Sequence, residues 1–205
     1  MNNPQHHRHL MILSVLWLLG LVITGYEPFD RGTWVLEVFP AVLAWPILWF
    51  TRQRFPLTTL LYYAICLHGL VLMLGGMYTY ARVPLGFELQ AWFGFERNPY
   101  DRIGHFFQGF VPALVAREIL LRGQFVRTRG MLNFVIVSMV MFVSSFYELI
   151  EWWAALLLGG GAVDFLGTQG DPWDTQSDMF FALVGAVCCL LLMARWHDRQ
   201  LKAIS

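Results

Sequence analysis

Met131 to Ala155 reads MLNFVIVSMVMFVSSFYELIEWWAA. The apolar residues run on without the strict alternation of a half-buried strand. The stretch also exceeds the roughly 20 residues that a helix needs to cross a bilayer core about 30 Å thick. From Met131 to Tyr147 it holds no Asp, Glu, Lys or Arg. A membrane-spanning helix is the reading these residues require, with Glu148 and Glu151 near its far end.

Working outward, five further runs have comparable character: Leu10–Tyr26, Trp34–Phe50, Leu57–Thr79, Ile103–Leu121 and Met179–Ala194, the last extending outward through Asp178. None shows the alternation of a membrane barrel strand. The whole chain is 57% hydrophobic and 14% charged, against the roughly 25% charged residues of soluble domains. The expectation is an all-α, polytopic membrane helix bundle with about six transmembrane helices. The first run is kept as a helix because no small-x-small cleavage site follows it. Pro84 to Pro99 is read as the longest connection, and Gly159 to Gln176 as the link before the last run. With no internal repeat and no long linker, residues 1–205 are read as a single integral membrane domain.

The charges give this bundle a direction. Six spans place Arg8, Arg52, Arg54, Arg117, Arg122, Arg127, Arg129, Arg195, Arg199 and Lys202 on one side, ten of the 14 basic residues. The positive-inside rule makes that side, with both termini, cytoplasmic. The opposite side holds twelve of the 14 acids: Glu27, Asp30, Glu37, Glu88, Glu96, Asp101, Glu148, Glu151, Asp164, Asp171, Asp174 and Asp178. Topology thus accounts for the arginines without nucleic acid, and the lipid bilayer is the expected partner.

The acidic side is where chemistry is expected. Asp101 and His105 are four apart at the start of the fourth run, hence one turn apart on one face. They suit metal ligation or a carboxylate-oriented proton transfer, and equally a capping acid above a packed histidine. Glu148, a turn beyond Ser144, lies about 26 Å along its helix from Met131. At that depth it needs a partner: an arginine such as Arg102, a metal or a substrate group. Glu151 follows three residues later, beside interfacial Trp152 and Trp153. Asp174 and Asp178 repeat the four-residue spacing where the last helix begins, although Asp174-Thr-Gln-Ser also suits an N-cap. The segment Asp164 to Asp178 is oxygen-rich but lacks the spacing of the helix-loop-helix calcium motif.

Other signals are bland. His68, midway along the third run, must find a bundle partner; a carbonyl or tyrosine is the common one, direct chemistry the rarer. Cys66, Cys188 and Cys189 lack zinc-ligand spacing, and no Gly-x-Ser-x-Gly elbow or phosphate-binding glycine loop is present.

Three stretches also carry a resemblance. Asn98-Pro-Tyr-Asp101-Arg-Ile-Gly-His105-Phe-Phe-Gln108-Gly109-Phe110, Phe146-Tyr147-Glu148-Leu149-Ile150-Glu151-Trp152 and Gly170-Asp171-Pro-Trp-Asp174-Thr-Gln176-Ser-Asp178-Met179 resemble the YjdF-type bacterial inner-membrane protein family. His68 with Tyr78-Thr79-Tyr80-Ala81 and Pro84 is similar to the same family's third-helix region. The resemblance spans about residues 10–195 and implies a small multi-pass protein of the bacterial inner membrane, with no established activity.

Two functional expectations follow. In the first, Asp101, His105, Glu148, Asp174 and Asp178 hold a divalent metal. Glu151, with His68 as a second candidate catalytic group, then serves hydrolysis of a lipid-linked or envelope substrate at the extracytoplasmic side. In the second, the acidic pocket admits a cation or cationic solute for transport or binding. A third version makes the acids cap and ion-pair residues of a structural protein.

Overall fold

A computed structural model describes residues 4–158 and 168–204, with side chains for 8–157 and 168–204. Asp164 and half of the 159–176 connection, residues 159–167, lie outside the described residues. All described regular structure is helical: α1 Pro4–Tyr26, α2 Arg31–Thr51, α3 Thr59–Met77, α4 Pro84–Phe93, α5 Tyr100–Arg122, α6 Arg129–Leu158, α7 Asp174–Leu192 and α8 Ala194–Ile204. The chain divides into two compact units, residues 1–100 and 101–205.

In the first unit, α3 packs on both α1 and α2. Trp17 of α1 is buried and stacks on Trp45 of α2, ring centroids 4.7 Å apart. Gly69 of α3 makes room for that indole, since a Cβ there would stand 2.1 Å from it. Local bonds close the helix ends: Asp30 accepts the Thr33 amide at 2.7 Å, and Thr58 accepts that of Leu61 at 3.3 Å. The segment read as a plain connection contains α4, which starts with Pro84 and stops at Gly94 in the left-handed region, φ +67°. Those are ordinary start and stop residues for a helix. Asn98 ties the segment down by donating to the Val83 carbonyl and accepting the Tyr100 amide, both at 3.0 Å.

In the second unit, α6 packs along α7, and α7 meets α5 at bare backbone. A Cβ on Gly109 would lie 1.8 Å from the Ala182 carbonyl oxygen, and one on Gly185 2.0 Å from that of Phe106. Small residues at such a crossing let helices approach without a side chain between them. His105 and Asp178 each sit one turn before this contact on their own helices. The segment after the last span, whose Arg195, Arg199 and Lys202 count among the basic residues of one side, is a helix as well: α8 is amphipathic and buries His197 and Leu201.

Among the described residues, five helices have the length and apolarity to cross a membrane: Arg8–Tyr26, Arg31–Thr51, Thr59–Met77, Arg129–Leu157 and Asp174–Leu192. Large apolar side chains remain exposed along them, Val22, Phe50, Phe142 and Leu191 among others, as lipid-facing surfaces require. The chain is therefore an all-α polytopic membrane protein. The sixth expected span coincides with α5, whose 23 residues reach about 35 Å. Its Asp101, Arg102, Arg117, Glu118 and Arg122 keep it out of the apolar set.

Candidate metal centre

One ring collects the polar groups of three helices. From α5, Asp101 and His105 meet as their spacing predicts, with Asp101 Oδ1 3.4 Å from His105 Nε2. Because α5 and α7 touch at Gly109 and Gly185, Asp178 of α7 reaches the same nitrogen, its Oδ1 at 3.7 Å. From α6, Glu148 and Glu151 place carboxylate oxygens within 4.8 Å of each other and of a His105 nitrogen. The ring's other edge is occupied: Nδ1 lies 2.7 Å from Oε1 of Gln108.

Burial makes this convergence demanding. Asp101, His105, Asp178 and Glu148 are 9, 8, 2 and 8% exposed. Ionised carboxylates away from water need hydrogen bonds, a counter-charge or a metal. Among the described residues no arginine or lysine pairs with Asp101, Glu148 or Asp178. Arg102, the partner considered for Glu148, turns instead toward Asp171 at 3.9 Å and lies 5.7 Å over the Phe181 ring. Asp178 Oδ1, Glu148 Oε1 and Ser144 Oγ are buried without a hydrogen-bond partner among the described residues. Ser144 is the more telling because Ser14, Thr24, Thr51 and Ser145 all donate to the carbonyl four residues back.

The spacings suit an ion. Ligand atoms about 2.1 Å from a common metal stand about 3.0 Å apart at right angles and about 3.4 Å apart at the tetrahedral angle. Separations of 3.4 and 3.7 Å around Nε2 fall beside the second value, and both are long for hydrogen bonds. One nitrogen with several carboxylate oxygens is a donor set for divalent cations between the hard and borderline classes. The buried His–Asp cluster is thus capable of coordinating a metal ion.

The remaining expected residues fall in different places. Asp174 is buried one turn before Asp178 but belongs to neither convergent group, and Trp173, not Asp174, is the α7 N-cap. His68 lies half-buried midway along α3 in the unit 1–100, whereas the convergent set is wholly in the unit 101–205. The three cysteines are free thiols.

Two features escaped the sequence reading. Gln108 was in a quoted motif without a role, although its i+3 spacing from His105 put it on the same helical face. The second is a buried network at the other end of α5. His197 Nε2 is 3.0 Å from Glu118 Oε2, Arg117 Nη1 3.0 Å from His197 Nδ1, and Arg122 Nη1 3.0 Å from Glu118 Oε1; Arg117 also pairs with Asp198. The adjacent charges Arg117 and Glu118 inside an apolar run were the available signal.

Comparison with known proteins agrees with the motifs. The family described as "Predicted membrane protein (DUF2238)" matches residues 9–199. "Inner membrane protein YjdF" of Escherichia coli (strain K12) is 58% identical over 184 residues, 90% of this chain and 88% of that protein. No solved structure matches. The match to the family model over almost its whole length, and its identity to YjdF, show that the chain belongs to this YjdF-type family of predicted membrane proteins.

Proposed function

We propose that this is a multi-pass protein of the bacterial inner membrane that holds a divalent cation at His105 and uses it to hydrolyse a lipid-linked or envelope substrate at the extracytoplasmic side. The observation that carries the cation is that three buried carboxylates converge on one imidazole with no arginine or lysine among the described residues paired to them. Location is supported by the name of the 58% identical relative and by the segregation of basic and acidic residues. In this reading α5 is the sixth span, its Arg117 and Glu118 turned inward and buried, and both termini are cytoplasmic.

Asp101, His105 and Asp178 would hold the ion, with Glu148 beside them and Asp174 a turn away. Bound there, a divalent ion would supply Lewis acidity to the scissile group and would lower the pKa of water. Glu151, half-buried and converging on the same ring, takes the proton from the attacking water. No step is assigned to His68.

Elemental analysis of the purified protein in nanodiscs, followed by Zn2+ and Mn2+ titration, tests this. One retained or titrated equivalent is expected. At a hundredfold excess over Kd it should raise stability by about 2.7 kcal/mol, an effect absent in His105→Ala. No bound metal, and a melting temperature indifferent to chelator and to added Zn2+ or Mn2+, would refute the cation site. Cation binding with no hydrolysis of any lipid-linked phosphate or ester would leave a binding protein.

A further inference from the structure

We infer that Gln108 is a positioning residue that decides which nitrogen of His105 receives the cation, a role that rests on the cation reading above. An amide oxygen only accepts hydrogen bonds. Gln108 Oε1 at 2.7 Å from Nδ1 therefore requires the ring proton to be on Nδ1, donated to Gln108. In the neutral ring Nε2 is then left with its lone pair, and it faces Asp101 Oδ1 and Asp178 Oδ1 at 3.4 and 3.7 Å. Three lone-pair-bearing atoms within 4.8 Å of one another can hold a cation.

The opposite arrangement has a different outcome. With the Gln108 amide turned, its NH2 donates to Nδ1 and the ring proton moves to Nε2, between the two aspartates. His105 then becomes a hydrogen-bond donor to Asp101 and Asp178, and the position of the cation is filled by a proton. Gln108 thus separates a metal-accepting ring from a closed ring. Its place on α5, three residues after His105 and just before the Gly109 contact with α7, fixes it on the face that carries the site. Partners of this kind on the second ring nitrogen set both tautomer and basicity of a ligating histidine.

The test uses the full chain in nanodiscs with ring-15N histidine, the His105 signals being identified by their loss in His105→Asn. In the Zn2+-loaded protein, and in the metal-free protein at alkaline pH where the ring is neutral, the proton should reside on Nδ1. Gln108→Met, which keeps the length but cannot accept through oxygen, should move the neutral ring toward Nε2–H. It should also weaken Zn2+ binding by about ten- to hundredfold, and Gln108→Glu, which restores an acceptor, should recover both. An Nε2–H ring in the wild type overturns the assignment outright, even if Gln108→Met does not fold. Unchanged Zn2+ affinity and tautomer in a folded Gln108→Met overturns it while the cation site stands. A tautomer that follows residue 108 in a protein that binds no Zn2+ refutes the cation reading and the ligand-directing role with it, and leaves Gln108 only as the group that sets the ring's tautomer.

Discussion

The two ends of α5 each bury a histidine among carboxylates, and they resolve the charge in opposite ways. At the Arg122 end, Arg117 can only donate, so His197 Nδ1 must accept and Nε2 carries the proton to Glu118. Two arginines, Arg117 and Arg122, stand against two acids, Glu118 and Asp198, around a neutral ring. His197 and Glu118 are completely buried, yet neither side chain appears among the buried atoms that lack a partner. At the Asp101 end three buried acids face one ring, and among the described residues no arginine pairs with them and oxygens of Asp178 and Glu148 lack partners. Burial of acids alone does not distinguish structural from functional clusters. The matching of their charges is what sets these two clusters apart.

The largest effect should come from unbalancing the balanced end. Arg117→Met leaves Asp198 and Nδ1 of His197 without their partner, and breaking one member out of a buried ionic network costs about 3–5 kcal/mol. Chemical unfolding of the purified protein in detergent measures it. A loss under about 1 kcal/mol would place the network in the same class as a surface ion pair and remove the contrast. The second substitution should have the opposite sign. Asp178→Asn removes a buried charge from beside Asp101 and Glu148, so the cation-free protein should gain on the order of 1 kcal/mol. It should also lose stabilisation by Zn2+. A destabilised Asp178→Asn protein would mean that the carboxylate is already compensated without any cation.

Much of this architecture was legible in the chain itself. The run Trp34–Phe50 became α2 Arg31–Thr51, and Met131–Ala155 became α6 Arg129–Leu158, because apolar length is all a lipid-facing helix needs to declare. α4 escaped because its ten residues are too few for a span and its bounding Pro84 and Gly94 read equally well as loop punctuation. Within one helix the site was legible too: the four-residue spacing gave Asp101 with His105. Between helices it was not, because helical rotation and crossing decide which faces meet. The Gly109 and Gly185 contact brought Asp178 to His105, and a loop residue, Asp171, took the arginine considered for Glu148. The Glu118–His197 bond joins residues 79 apart in sequence through an amphipathic helix that charge counting had read only as a basic tail.

The smallest effect sharpens the contrast from outside either cluster. Asp30, at the N-cap of α2, is a solvent-exposed carboxylate whose hydrogen bond from the Thr33 amide holds its pKa below the ordinary value of 3.8. Depression of the folded-state value means that ionised Asp30 favours the fold. That contribution is complete above pH 3.8 and is lost as pH falls through the lower folded-state value. Asp30→Ala should therefore lower stability by about 0.5–1 kcal/mol at neutral pH, with the difference from wild type shrinking only in strong acid. Urea unfolding of both proteins at neutral and acidic pH measures it. A satisfied acid thus loses stability on removal, where Asp178, an unsatisfied one, should gain it. If both substitutions destabilise alike, the acids of the Asp101 end are ordinary structural carboxylates and the proposed cation has no vacancy of charge to fill.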